Sequence, residues 1–191
     1  VNFKRAFDVA GASVALVLCM PLMLVLSAII KCTSKGPVIF RQERIGLNGT
    51  PFRIYKFRSM VVDAEPAGPA LAVPNDSRIT PIGRFMRKYR LDELPQFLNV
   101  IGGSMSLVGP RPERAFYVEQ ILQRQPYYTL VHRVRPGITS LGMVKYGYAG
   151  NVDEMIERMQ YDLIYLENVS ITTDLKILAY TVTTVISGKG L

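Results

Sequence analysis

The feature that most limits the fold of this chain is an uncharged apolar run near its start. Residues 9–30, 22 positions in all, contain no Asp, Glu, Lys or Arg. An α-helix of that length is about 33 Å long, and the hydrocarbon core of a bilayer is about 30 Å thick. The run therefore predicts a membrane segment. A buried helix of a soluble core and a secretory signal peptide are the alternatives, but no small-residue cleavage site follows to support the second.

Two details favour a segment that enters and leaves the membrane by the same face. Pro21 lies near the middle of the run, and proline removes a backbone donor and disrupts the preceding turn. Lys and Arg side chains stand on both sides of the run, and the positive-inside rule places such flanks in the cytoplasm. We predict a re-entrant helix–break–helix over residues 1–32 and a cytoplasmic domain over residues 33–191. A spanning helix stays open, because true spans tolerate proline.

Length, charge and composition narrow the class of protein. The 191 residues suffice for one compact domain, and a hydrophobic fraction of 49% excludes a wholly disordered chain. The net charge is +8, which indicates an anionic partner such as phospholipid, a phosphorylated substrate or nucleic acid. Cys19 and Cys32 are too few for a disulfide scaffold, and we expect both to be buried as small apolar side chains. His132 has no neighbours in sequence that would make it catalytic.

Patterns after the apolar run predict an α/β domain that is mostly helical. Alternating apolar and polar residues on both sides of Asn48-Gly49 predict a β-hairpin. The proline-rich residues 63–76 predict a mobile surface loop. Helices are expected at 80–90, 92–100, 113–125, 152–168 and 171–187. The helix at 80–90 is basic and amphipathic, so we expect it and the last helix at the membrane interface; a solvated face is the alternative.

A carboxylate pair in the middle of the chain is the strongest candidate for chemistry. Asp92 and Glu93 open a predicted helix, where acids are common for capping alone. Basic residues crowd them in sequence: Lys56, Arg58, Arg84, Arg87, Arg90, Arg111 and Arg114. Guanidinium groups match phosphate oxygens, but carboxylates would repel a phosphate ligand. The combination makes sense if a divalent metal such as Mg²⁺ bridges carboxylate and phosphate, or if one carboxylate attacks phosphorus.

Short motifs follow one another along nearly the whole chain. They are KR-x-x-D at 4–8, GPVIF-x-Q-x-RIG at 36–46, YKFRSM at 55–60, IT-x-IG at 79–83, RLDELPQ at 90–96, NV at 99–100, MSLVGPRP at 105–112 and RPGIT at 135–139. In these stretches, and in the proline within the apolar run, the chain resembles the bacterial sugar transferase family, the monotopic phosphoglycosyl transferases. The matches are long and in order, so the resemblance is specific.

The resemblance implies a reaction. Such enzymes move a sugar-1-phosphate from a UDP-sugar to undecaprenyl phosphate and release UMP, which is the first membrane step of surface polysaccharide or glycoconjugate assembly. Asp92 would be the nucleophile of a ping-pong reaction through an acyl-phosphate intermediate, and a ligand of the required Mg²⁺. Glu93 would orient the metal or the acceptor. The basic pocket that holds the phosphates would consist of Lys56, Arg58, Arg87, Arg111 and Arg114.

The resemblance also implies a location and partners. It places the protein at the bacterial inner membrane, with the catalytic domain on the cytoplasmic face, in contact with phospholipid and without a nucleic-acid partner; homo-oligomer formation stays open. Residues 140–147 depart from the family pattern, which leaves the sugar undetermined. Many relatives carry transmembrane helices upstream, so this chain can be the catalytic part of a longer protein. Two other functions stay open: a basic module that binds anionic lipid or nucleic acid without chemistry, and a catalytically silent factor of polysaccharide export.

Overall fold

One long helix and a series of shorter elements make up the part of the chain that the computed structural model describes, residues 2–66, 68–73 and 75–188. The helices are α1 (Asn2–Thr33), α2 (Pro81–Lys88), α3 (Phe97–Ile101), α4 (Ala115–Arg124), α5 (Leu141–Lys145), α6 (Val152–Glu167) and α7 (Ile171–Ile186). The strands are β1 (Ile39–Ile45), β2 (Pro51–Phe57), β3 (Ser106–Val108) and β4 (Gly137–Thr139). Short 3-10 helices cover Leu47–Gly49, Leu91–Gln96 and Pro126–Arg133. The chain is mostly helical with a small amount of sheet, as the sequence predicts.

The long helix α1 passes through Pro21 without interruption. The predicted break is therefore wrong at the level of secondary structure, because the chain is helical from Asn2 to Thr33. A proline removes one hydrogen bond from a helix, but the remaining backbone groups of an apolar segment have no better partners than one another. The helix is long and apolar enough to cross a membrane.

Both ends of α1 pack on the rest of the chain, whereas its middle is exposed. Near the start, the buried Asp8 accepts hydrogen bonds from Ser106 Oγ (2.8 Å) and from the Leu107 amide (3.1 Å). Near the end, Leu26 and Ile30 join a buried apolar cluster with side chains of β2 and α2. The exposed apolar side chains between these two contacts are Val14, Val17, Leu18, Met20, Leu22, Leu24 and Val25.

The two small sheets differ in strand direction, and the sequence predicted only the first of them. The antiparallel hairpin β1–β2 pairs Ile45 with Pro51 next to a turn in which Asn48 has a left-handed backbone (φ 55°), so the predicted hairpin is confirmed. The second sheet, β3 beside β4 in parallel, was not predicted. The backbones of its two strands approach so closely that a Cβ at Gly137 would lie 2.1 Å from the Gly109 nitrogen. Only glycine is tolerated at such a position.

Most predicted helices are confirmed. α2, α4, α6 and α7 begin and end within two residues of the expected ranges. Thr80 caps α2, since its hydroxyl accepts a hydrogen bond from the Gly83 amide (3.0 Å), and Pro81 follows in the first turn. The helix expected at 92–100 is instead a 3-10 helix that continues into the short α3. Pro95 lies inside the 3-10 segment, where it has no backbone donor to contribute to an α-helix.

Two smaller expectations have different outcomes. Burial of both cysteines is wrong, because Cys32 is exposed and Cys19 is only half-buried. Both lie on α1, only part of which packs on the rest of the described chain. His132 packs against a neighbouring aromatic side chain. Its ring packs edge-on against Tyr128 at 5.2 Å between centroids, and burial lowers the pKa of the imidazole.

Candidate active site

The sequence segments that carry the motifs meet around one cavity of about 490 Å³. The β1–β2 hairpin, α2, the 3-10 helix Leu91–Gln96, the loop after β3 and the loop after β2 all contribute to its wall. All seven residues predicted for the site line it: Lys56, Arg58, Arg87, Asp92, Glu93, Arg111 and Arg114. The structure therefore brings together side chains that are up to 58 positions apart in the sequence.

A buried asparagine positions the hairpin beside the carboxylate pair. Asn99 Oδ1 accepts a hydrogen bond from the Tyr55 amide (2.9 Å), and its Nδ2 donates to the Arg53 carbonyl (2.7 Å). The side chain thus satisfies β2 backbone groups that have no strand partner on that side. Because Asn99 is on α3, directly after the 3-10 helix, this contact fixes Lys56 next to Asp92 and Glu93.

Helix α2 is held against the end of the hairpin by a very close backbone contact. A Cβ at Gly83 would lie 2.0 Å from the Ser59 carbonyl oxygen, so any larger residue would push the helix away. The Thr80 amide donates to the same carbonyl (3.0 Å). The approach allows Arg87 Nε to donate to Ser59 Oγ (2.9 Å), which directs the guanidinium group of Arg87 into the cavity wall.

Glu93 is surrounded by cations. Its Oε1 accepts from Lys56 Nζ (2.7 Å) and Arg111 Nη2 (3.1 Å), and its Oε2 lies 3.9 Å from Arg90 Nη1. Burial alone would raise the pKa of Glu93, but Lys56, Arg111 and Arg90 lower it well below its usual range. Glu93 is therefore a fixed anion that orders the basic side chains around it.

Asp92 has the opposite environment although it is the adjacent residue. Its side chain is buried and lines the cavity, and among the residues that the structure describes it makes no side-chain hydrogen bond or ion pair. Burial raises the pKa of Asp92; Lys56 opposes this effect and the charge of Glu93 adds to it. The carboxylate is thus available to a ligand, and no partner in the described chain stabilises its charge directly.

Several arginine nitrogens in the cavity wall have unused hydrogen-bonding capacity. Buried guanidinium nitrogens without a partner in the described structure are Arg44 Nε, Arg58 Nε, Arg58 Nη1, Arg87 Nη1 and Arg90 Nε. Most buried polar atoms in proteins are hydrogen-bonded, and a buried charge without a partner is costly. A concentration of unpaired guanidinium donors around an open cavity is what an anionic ligand with several oxygens would satisfy.

The remaining two predicted arginines are already paired. Arg111 donates to Glu93, and its own backbone amide donates to Asp162 (3.4 Å). Arg114 makes two short contacts with the Glu65 carboxylate, 2.9 and 2.8 Å from its Nη1. Glu65 belongs to the predicted loop 63–76, whose residues Ala67 and Pro74 lie outside the described residues. Arg114 therefore holds this loop over the cavity rather than presenting a free guanidinium group.

The structure adds cavity residues that the sequence-based site did not include. Gln42 and Arg44 line the wall from β1, Ser59 supports Arg87, and Tyr148 joins the loop by accepting from the Ala72 amide (3.1 Å). Gln42, Arg44 and Ser59 lie within motifs that the sequence shows, so position in a motif was the available signal. No sequence signal marked Tyr148, because its role depends on how the loop folds back.

The carboxylates of the cavity decide whether the predicted Mg²⁺ could bind here. Among the described residues no group of three His, Cys, Asp or Glu side chains converges in a way that would hold an ion. Mg²⁺, however, needs only one or two carboxylates when phosphate oxygens and water complete its octahedron. Asp92 offers such a ligand, since its carboxylate has no partner among the described residues and lines the cavity. The residues therefore fit Mg²⁺ bound together with a phosphate group.

Comparison with known proteins decides the family. A model described as bacterial sugar transferase matches residues 1–188. The chain belongs to this family. Its relatives include a UDP-N-acetylgalactosamine-undecaprenyl-phosphate N-acetylgalactosaminephosphotransferase of Aeromonas hydrophila, which is 43% identical over 187 residues, or 98% of this chain and 44% of the relative. A UDP-glucose:undecaprenyl-phosphate glucose-1-phosphate transferase of Klebsiella pneumoniae is 46% identical over 183 residues, or 94% of this chain and 39% of the relative.

Coverage differs among the relatives of this bacterial sugar transferase. The chain spans less than half the length of the Aeromonas and Klebsiella proteins. An exopolysaccharide production protein of Rhizobium leguminosarum bv. phaseoli is 40% identical over an aligned length of 198 positions, which covers 98% of this chain and 97% of that relative. All three alignments cover at least 94% of this chain.

Proposed function

We propose that this chain is a polyprenyl-phosphate phosphoglycosyl transferase, which moves a sugar-1-phosphate from a UDP-sugar to undecaprenyl phosphate and releases UMP. The observation that carries the proposal is the contrast between the two adjacent carboxylates. Glu93 is held by cations, whereas Asp92 lines the cavity without a hydrogen-bond partner among the described residues. Several guanidinium nitrogens of the cavity arginines are likewise unpaired in the described structure. Such an arrangement suits a nucleophile that must meet a diphosphate.

The proposed reaction has two steps that use the same carboxylate. Asp92 attacks the phosphorus atom that carries the sugar, and the bond from this phosphorus to the bridging oxygen breaks, so that UMP leaves with the electron pair. A phosphate oxygen of undecaprenyl phosphate then attacks the same phosphorus atom. The acyl-phosphate bond to Asp92 breaks, which restores the carboxylate and gives undecaprenyl diphosphate sugar. Lys56 and the arginines neutralise the anions that must approach one another.

Mg²⁺ is the cofactor that this proposal requires. Asp92 would hold it, together with phosphate oxygens of the donor. When bound, the ion neutralises the charge of the diphosphate. Glu93 keeps Lys56 and Arg111 in place beside Asp92.

The contact between the cavity wall and the end of α1 supports a location of the proposed site at the membrane. Arg58 Nη2, in the cavity wall, donates to the carbonyl oxygen (2.9 Å) and hydroxyl (2.7 Å) of Ser34, the residue directly after α1. We propose that α1 is re-entrant, with a bend at Pro21 inside the continuous helix and both ends on the cytoplasmic face of the bacterial inner membrane. Residues 1–32 would then form the membrane part, and residues 33–191 the catalytic domain.

Two further helices have surfaces suited to the lipid headgroup region. α2 exposes Phe85 beside the exposed Arg84 and Lys88, and α7 exposes Leu175, Tyr180, Val182 and Ile186. Aromatic and basic side chains favour the membrane–water interface. We propose that both helices lie at this interface, which would bring the cavity to the depth of a polyprenyl phosphate headgroup.

Substitution of Asp92 tests the proposed function. Asp92→Asn should abolish UMP release from UDP-sugars in the presence of undecaprenyl phosphate and Mg²⁺, because an amide cannot form the acyl phosphate. Asp153→Asn is the matched control, since Asp153 is 78% exposed and pairs with Arg124 on the surface; its activity should equal that of the wild type. Full activity of Asp92→Asn would contradict the covalent reaction. A wild-type protein that is inactive across a panel of UDP-sugars would instead indicate a silent assembly factor.

A further inference from the structure

Arg90 is a cavity arginine that the predicted phosphate pocket did not include. It lies directly before the 3-10 helix Leu91–Gln96 and has a left-handed backbone, with φ 53° and ψ 23°. Its side chain is only 12% exposed and lines the cavity. Its Nε is buried without a hydrogen-bond partner in the described structure. The nearest carboxylate oxygen, Glu93 Oε2, is 3.9 Å from Arg90 Nη1.

The backbone of Arg90 indicates that an arginine at this position is not there for local folding. The left-handed region is unfavourable for residues with a Cβ and open to glycine. Non-glycine residues in such conformations persist where the surrounding structure demands them, and they cluster at functional sites. The conformation places the side chain of Arg90 beside Asp92 and Glu93, inside the cavity wall.

The charge of Arg90 is poorly compensated by the protein itself. Seven Lys and Arg residues line the cavity against four Asp and Glu residues, and Glu65 and Glu93 are already bound to other cations. Arg111 Nη2 lies 3.1 Å from Glu93 Oε1, within hydrogen-bond distance, whereas Arg90 Nη1 is 3.9 Å from Glu93 Oε2. Among the described residues Arg111 thus has a close counter-ion, and Arg90 has only a distant one.

We propose that Arg90 is a further phosphate-binding residue of this site, whose left-handed backbone presents the guanidinium group to phosphate oxygens of a bound substrate. The proposal rests on the proposed function for its choice of ligands. Two phosphates can reach the cavity in that reaction, the diphosphate of the donor and the monophosphate of the polyprenyl acceptor. Both offer the oxygen atoms that a guanidinium fork binds.

Three substitutions separate this role from a structural one. Arg90→Gln removes the charge but keeps a long polar side chain, and Arg90→Lys keeps the charge but loses the fork. Arg90→Gly also relieves the left-handed backbone, so the variant should unfold at a temperature no lower than that of the wild type. Arg133→Gln is the matched control, because Arg133 is exposed and does not line the cavity.

The measurement is binding without turnover. The full chain in lipid nanodiscs is heated with increasing UDP, and separately with increasing undecaprenyl phosphate, and the dissociation constant is taken from the shift in unfolding temperature. We expect Arg90→Gln and Arg90→Gly to weaken binding of at least one ligand by about tenfold or more, the loss typical of a hydrogen bond to a charged group. Arg90→Lys should be intermediate and Arg133→Gln unchanged.

Each outcome of the two titrations has one meaning. Weaker binding of UDP alone assigns Arg90 to the donor, weaker binding of undecaprenyl phosphate alone assigns it to the acceptor, and weakening of both assigns it to a position that the two phosphates share. Wild-type affinity of the folded Arg90→Gln and Arg90→Gly variants for both ligands overturns the proposal. Transfer activity of the wild type is measured separately, so a failure of the proposed function would be visible independently of these affinities.

Discussion

Asp92 and Glu93 are neighbours in the chain but differ in what surrounds their carboxylates. Glu93 accepts from Lys56 and Arg111, and its charge organises the wall of the cavity. Asp92 is buried with no such partner in the described structure. Adjacent titratable groups whose environments shift their pKa values in opposite directions are characteristic of sites that divide chemical roles. At the scale of residues, this division supports the proposed roles, in which Glu93 holds the cations and Asp92 reacts.

Replacing each carboxylate by the corresponding amide should therefore affect the stability of the protein in opposite ways. Glu93→Gln leaves Lys56 and Arg111 without a counter-charge, so we expect the free energy of unfolding to fall by about 3 kcal/mol. Asp92→Asn removes a buried charge that has no direct partner, so stability should be unchanged or higher. Chemical denaturation of both variants in the same detergent measures the difference. A stable Glu93→Gln beside a destabilised Asp92→Asn would contradict the assignment.

Much of the site could be predicted at the residue scale, because its members lie in ordered motifs of fixed composition. The seven predicted residues do line one cavity. What the sequence does not show is which cation meets which anion. Arg114 is bound by Glu65 through the fold of an irregular loop, and Arg90 matters through a backbone conformation that its neighbours impose. Neither the ion pair of Arg114 nor the backbone conformation of Arg90 can be recognised from the periodicity or composition of the sequence.

At the scale of elements, the docking of α2 on the end of the hairpin controls the geometry of Arg87. Gly83 allows the helix to approach the Ser59 carbonyl, and the approach allows Arg87 to bond to the Ser59 hydroxyl. One glycine thus connects the packing of a helix with the position of a cavity arginine. The amphipathic pattern of α2 predicts the helix itself, but it does not reveal this contact.

Gly83→Ala tests the coupling. The added methyl group would meet the Ser59 backbone, so we expect stability to fall by about 2 kcal/mol and transfer activity to fall with it, as Arg87 shifts away from Ser59. Gly150→Ala is the control, because its Cβ would find only a side-chain oxygen at 3.6 Å and neither quantity should change. Thermal unfolding and initial rates are measured on both variants. Equal behaviour of the two would show that α2 does not depend on this close contact.

Elements with a repeating pattern were predictable, and short or context-dependent ones were not. The hairpin and the helices α2, α4, α6 and α7 have enough residues to show their period. Strands β3 and β4 have three residues each, too few to display an alternation. The uninterrupted α1 shows that a proline signal is weaker in an apolar helix than its local effect suggests.

At the scale of the whole molecule, α1 and the cavity are linked by direct contacts. Both ends of α1 contact the rest of the chain, through hydrogen bonds to Asp8 and through the packing of Leu26 and Ile30, and the apolar side chains between these contacts are exposed. A soluble nucleotide sugar and a lipid phosphate can meet only where water and the headgroup layer adjoin. The proposed re-entrant path of α1 places the cavity at that boundary.

The path of α1 is testable by the accessibility of its two ends. Phe3, near the start, is 77% exposed, and Cys32, near the end, is exposed as well. One variant retains Cys32 with Cys19→Ser, and the other places the only thiol at the start with Phe3→Cys, Cys19→Ser and Cys32→Ser. A re-entrant helix predicts that a membrane-impermeant maleimide labels both variants from the cytoplasmic side of sealed vesicles. Labelling from opposite sides would establish a spanning helix.

The most direct test of the covalent account is the mass of the peptide that contains Asp92. The protein is incubated with its UDP-sugar and Mg²⁺ in the absence of undecaprenyl phosphate, quenched and digested. We predict that the peptide gains the mass of a sugar phosphate on Asp92, that undecaprenyl phosphate removes this adduct, and that Asp92→Asn never forms it. Turnover with no adduct, and UMP released only when both substrates are present, would contradict the account.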